Sequence, residues 1–220
     1  MTSDNLIRWC GLAAILGAAL FIIADLIDLL TTDFDASPSE FFTSFGFYLT
    51  SALFLVGGPL VLLGLVGLYA RQPEAMGVLG IIAFLCAFFG GVLAQGAIWS
   101  DAFISPAIAS EAPELLESEP PGVVIFGILL SFVLVNLGWI LFGVAVLRAG
   151  IYPRVAALLL IVGAVVALLL NILSGGGPPS VLRYVVGTAS DILFFGAIAW
   201  MGFVLLAGRG SSEEQPSRVR

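Results

Sequence analysis

Apolar residues fill six stretches of this chain, and polar residues collect in the gaps between them. A hydrocarbon core of about 30 Å is crossed by about 20 apolar residues in a helix. The pattern predicts spans at residues 6–30, 41–70, 76–104, 123–147, 153–173 and 181–207. The fold class that follows is all-α, a polytopic membrane protein. Residues 1–207 form one bundle of six transmembrane helices, and residues 208–220 form a short polar tail expected to be disordered. No gap is long enough to fold a soluble domain.

Local signals refine the boundaries. Ser37-Pro38-Ser39-Glu40 reads as a helix start, with Ser37 as cap, Pro38 in the first turn and Glu40 closing a capping box. Gly57-Gly58-Pro59 interrupts the second span. Proline removes a backbone donor, so a neighbour must satisfy the freed carbonyl. That makes the motif a hinge or a kink needed for close contact. Ala83, Ala87, Gly91 and Gln95 mark one face of the third span as a helix–helix seam. Ser105-Pro106 is expected to end that span, and Pro113 to Glu117 to form a turn of surface helix. Residues 174–180 read as a flexible loop rich in Gly and Pro. The first apolar run is too long for a cleaved signal peptide and reads as a signal-anchor.

Composition agrees with the pattern: 60% of residues are hydrophobic and 10% charged, where a soluble domain carries about 25% charged residues. All eight basic residues are arginine. With the N-terminus inside, Arg8, Arg71, Arg148, Arg154, Arg209, Arg218 and Arg220 are cytoplasmic, and Arg183 alone is outside. The positive-inside rule selects this threading, with both termini in the cytoplasm. Asp33, Asp35, Glu40, Glu111, Glu114, Glu117 and Glu119 then face outward. The net charge is −7 and no basic patch exists, which argues against nucleic acid as a partner. The partners expected are the lipid bilayer and, beside it, other membrane proteins or further copies of the chain.

Histidine is absent, which removes the commonest metal ligand and general base. Cys10 and Cys86 read as small apolar residues at different depths, with no disulfide between them. No metal and no cofactor is expected.

The segment LFGVAVLRAGIYPRVAALLLIVGAVVALLL, residues 141–170, has a Gly-containing span ending in Arg, a short turn ending in Pro-Arg, and a Leu/Gly-rich span. It resembles a hairpin of uncharacterised bacterial multi-span membrane proteins, of the domain-of-unknown-function class. The resemblance implies a prokaryotic cytoplasmic membrane and no chemistry. Residues 62–93 share the layout, which suggests an internal repeat of parallel hairpins; an inverted three-plus-three repeat also fits six spans.

Ionisable groups within spans are functional candidates by default. Asp191 lies roughly 15 Å into the last span, near mid-bilayer. An Asp there costs about 2.5–3.5 kcal/mol, to be offset by a partner, a wet cavity or protonation. Asp25 and Asp28 share a face of the first span. Asp101 sits at similar depth in the third, with Gln95 just below, and Asn136 is mid-depth in the fourth. A funnel open to the outside and ending near Asp191 and Asn136 would account for this set. Asp28 reads more simply as a solvated helix end. Arg183 is the candidate ion-pair partner, for Asp28 or Asp101.

Enzyme motifs fail. Ala24-Asp25 and Ala189-Ser190-Asp191 lack the Tyr-Asp and Gly-x-Gly-Asp of intramembrane aspartyl proteases. Asp25-Leu26-Ile27-Asp28 is followed by Leu29, unlike the CDP-alcohol phosphotransferases. No phosphate-binding loop or zinc spacing occurs. A non-enzymatic accessory or assembly component is the first expectation. A small ion- or proton-coupled permease centred on Asp191 is the alternative.

Overall fold

A computed structural model describes residues 3–71, 73–118, 120–173 and 181–208. The 174–180 loop and the tail beyond residue 208 lie outside the described residues.

Among the described residues there are eight helices: α1 (Ser3–Thr31), α2 (Pro38–Thr43), α3 (Phe45–Ala70), α4 (Pro73–Glu111), α5 (Glu114–Glu117), α6 (Gly122–Ala149), α7 (Arg154–Leu173) and α8 (Val181–Leu206). Six of them, α1, α3, α4, α6, α7 and α8, are long and apolar enough to cross a membrane. Large apolar side chains such as Leu63, Phe89, Phe126, Leu158 and Phe203 point outward around the bundle. This is the surface of an integral, multi-pass membrane protein, since water would penalise it and lipid does not.

The six long helices form a ring in chain order, each packed on the next, and α8 closes it against α1. Small residues let the backbones meet. Gly64 lies on Ala14 and Gly67 on Cys10, joining α3 to α1; Gly11 lies on the Gly202 backbone, joining α1 to α8. Ala83 and Ala87 are fully buried, as the seam predicted. Gly90 rather than Gly91 completes it: Gly90 abuts Val135 and Gly138 abuts Ala87, while Gly91 turns to Leu62 of α3.

Two boundaries differ from expectation. The second span does not run unbroken from residue 41. Ser37 and Glu40 form the predicted capping box, but α2 stops at Thr43. Ser44 is extended (φ −71°, ψ 147°), and its hydroxyl accepts from the Phe47 amide at 3.2 Å to start α3. A second N-cap thus divides the run. Nor does Ser105-Pro106 end the third span: α4 continues through a buried Pro106 to Glu111. One proline removes one ladder bond. Here α4 also packs against α2, and Pro106 and Ala109 are buried. Near its other end α4 bends at Gly77, where φ is 57°. The surface turn appears as α5.

Four of the described arginines, Arg8, Arg71, Arg148 and Arg154, gather at one end of the bundle, and Arg183 lies at the other, in the first turn of α8. Arg71 ends α3 and donates to Val204 near the end of α8. Arg8 lies beside Gly208. Arg148 and Arg154 flank the α6–α7 turn, which Gly150 opens with φ 68°. We call this the arginine end. At the opposite, acidic end α2 meets α5, and Phe34 meets Tyr184 edge-on at 5.1 Å.

Candidate functional site: an acidic interior above an aromatic layer

A chain of rings crosses the bundle near mid-height. Phe21 of α1 stacks on Phe195 of α8 at 4.3 Å and touches Phe54 of α3 at 5.1 Å. Phe195 meets Phe194, which meets Trp139 of α6 at 5.4 Å, and Trp139 meets Phe142. Toward the arginine end the interior is closed by Leu65, Leu68, Val146, Leu160, Met201 and Leu205, each almost wholly buried. The interior polar groups lie mainly on the acidic side.

Asp25 stands one turn above Phe21, and Asp191 one turn above Phe195. The two carboxylates are close enough for their charges to interact, and Asp28 is also within electrostatic reach of Asp25. One oxygen of Asp25, Oδ2, is buried and has no hydrogen-bond partner among the described residues. Beside Asp191, the Ser190 hydroxyl is turned back to the Gly187 carbonyl at 2.7 Å.

Asp28 and Asp101 border one cavity of about 120 Å³ between α1, α2, α3 and α4, which Thr50 and Ser51 also line. That volume holds a few waters. A smaller cavity of about 50 Å³ continues from Asp28 past Thr32 and Asp33 toward Glu40. Asp28 accepts from Thr32 Oγ1, and Asp101 from Ser105 Oγ, both at 3.2 Å. The carboxylates Asp101, Asp28, Asp25 and Asp191 therefore form a sequence from a cavity at the acidic end to the aromatic layer.

The remaining candidates do other things. Gln95 Nε2 donates to the Leu55 carbonyl at 3.2 Å. Leu55 is four residues before Pro59, so this carbonyl is the one proline leaves without a donor. Gly58 makes the room, because a Cβ there would collide with the Gln95 side chain. Gln95 is thus a helix-to-helix cap, and α3 stays continuous through Pro59. Asn136 is buried on α6 and donates to Phe132 of its own helix at 2.9 Å. It borders neither of these cavities. Arg183 sits in the first turn of α8, half-buried, next to Tyr184, whose ring meets Phe34.

Sequence reasoning passed over two cavity residues, Thr50 and Ser51, and read a third, Asp28, as a solvated helix end, whereas it borders both cavities. Asp28 was legible from its i, i+3 spacing to Asp25. Thr50 and Ser51 carried no such signal, since hydroxyls in apolar helices commonly bond their own backbone. Both thiols are free, Cys10 at the arginine end and Cys86 within α4. Among the described residues no three acidic or thiol side chains gather as metal ligands. Comparison of the chain with protein families, with curated proteins and with solved structures finds no match.

Proposed function

We propose that this chain is a small, non-enzymatic permease of a prokaryotic cytoplasmic membrane, coupled to a proton or a small cation. The arginine end faces the cytoplasm, and the acidic cavity faces outward. The hairpin resemblance and the distribution of arginines support this placement.

The observation that carries the proposal is the Asp25–Asp191 juxtaposition. Each isolated carboxylate inside a bilayer costs about 2.5–3.5 kcal/mol. Two facing each other add repulsion, which a low-dielectric interior strengthens. A proton or a cation held between them removes that repulsion, and its departure restores it. Loading therefore biases any pair of bundle conformations that hold the two carboxylates at different separations. The cavity at Asp28 and Asp101 supplies a wet approach, and the aromatic layer blocks passage beyond the pair.

Reconstituted liposomes under a pH gradient test this. Wild type acidifies the lumen, Asp191→Asn abolishes the pH-dependent flux, and both elute as the same folded species. Flux that persists in both Asp191→Asn and Asp25→Asn sinks the proposal.

A second reading, an accessory or assembly subunit, is favoured by one observation. Residues 121–130, at the start of α6, are exposed on every side of the helix. Another membrane protein or a second copy would cover them. In that case Asp191→Asn alters stability or partner recovery in mild detergent, and there is no flux to lose.

A further inference from the structure

The arginine end carries contacts that do more than fill space. Tyr152, in the α6–α7 turn, is 4% exposed, and its hydroxyl donates to the Leu68 carbonyl of α3 at 3.0 Å. The Arg71 guanidinium lies 5.9 Å from the centre of the Tyr152 ring. Its Nη1 donates to the Val204 carbonyl of α8 at 3.1 Å. Leu68 and Val204 each belong to the last turn of a helix, where carbonyls lack intrahelical donors. Two side chains thus join the ends of α3 and α8 to the α6–α7 turn. A cation over an aromatic ring adds a third attraction. Burial pushes the Tyr152 phenol up from its ordinary value, against the pull of Arg71, so it remains a neutral donor.

Around the ring α3 is next to neither of the other two elements: α1 lies between it and α8, and α4 lies between it and the α6–α7 hairpin, so both hydrogen bonds reach past a neighbouring helix. Contacts within one helical hairpin would only steady that hairpin. Contacts across the ring close its mouth. We propose that Arg71 and Tyr152 form a latch that holds the arginine end shut, and that its release exposes the interior from that side. The latch rests on reading the interior as a passage. It adds the barrier that must open for material beyond the aromatic layer to leave.

The chain carries its own reporter. Cys10 is buried against Gly67, one residue from the latch carbonyl of Leu68. In a Cys86→Ala background Cys10 is the single thiol. Its reaction with a membrane-impermeant maleimide is followed in sealed vesicles of both orientations. Tyr152→Phe and Arg71→Gln each raise the rate from the arginine side by about tenfold, the weight of one hydrogen bond. Ser131→Ala deletes a hydrogen bond within the acidic half of α6 and leaves the rate unchanged. An unchanged rate in both latch variants overturns the proposal. An equal rise with Ser131→Ala also overturns it, since that is general loosening. Labelling needs no transport. A bundle without flux whose Cys10 still answers to Tyr152→Phe loses the permease reading and keeps the latch.

Discussion

Gln95 shows what a single residue can decide in this bundle. Pro59 sits in the middle of α3 without breaking it, because an amide from α4 takes the place of the missing backbone donor. Gln95→Leu should therefore destabilise the protein by about 1 kcal/mol. For a chain of this size that is a fall of about 2–4 °C in Tm. Pro59→Ala in the same background should restore stability, because residue 59 regains the N–H that Leu55 needs. Thermal unfolding in detergent decides it: losses that simply add would refute the compensation. The need for a partner was legible in Gly57-Gly58-Pro59 alone. Which residue met it was not, since that depends on the register of α3 against α4. The carboxylates divide the same way. Depth marked Asp25 and Asp191 as costly, but only the α1–α8 contact brings them together.

At the scale of elements, small residues and caps set the structure. The Glu40 carboxyl is held below the usual range by the amide and hydroxyl of Ser37. A depressed value means its contribution to α2 is present above the unfolded-state value, about 4.3, and is lost as pH falls through the lower folded value. Amide-exchange protection at residues 38–43 should drop when pH is lowered through this window. Glu40→Gln keeps a capping acceptor and should flatten that dependence. The seam makes a separate prediction. A Cβ on Gly138 would overlap the Ala87 backbone, whereas one on Gly127 meets nothing within 4 Å. Gly138→Ala should cost about 1–3 kcal/mol by overpacking, and Gly127→Ala should be neutral or slightly stabilising in the same unfolding assay. The sequence pattern located every long helix to within a few residues, except where hydroxyls and prolines compete. Ser44 can cap a new helix or ride inside one. Pro106 can stop a helix or be carried by neighbours that bury it. Tertiary contacts with α2 accompany the second outcome.

Across the whole molecule, helix order and polarity are the simplest features. Six helices arranged in chain order put alternate connections at opposite ends, so the arginines of the α3–α4 and α6–α7 turns must fall together. That much was readable from spacing alone, because the apolar period is long and the charges are few. The ring closure between α1 and α8 was not, since no local signal links residues so far apart. Cysteines introduced beside Glu114 and in the 148–154 turn test the threading in intact cells. An impermeant thiol reagent should label the first and spare the second; the reverse would invert the protein in its membrane.

The persistence of α4 beyond Pro106 changes the outline of the molecule. From the bend at Gly77 to Glu111 the helix is about 50 Å long, whereas a bilayer with its headgroups measures about 40–45 Å. If α4 stands upright with Gly77 at one headgroup boundary, its tip, Glu111 and the Glu114–Glu117 turn reach beyond the opposite one. Charges raised by about a Debye length, near 8 Å in physiological salt, respond to the ions of the surrounding medium more than to the leaflet beneath.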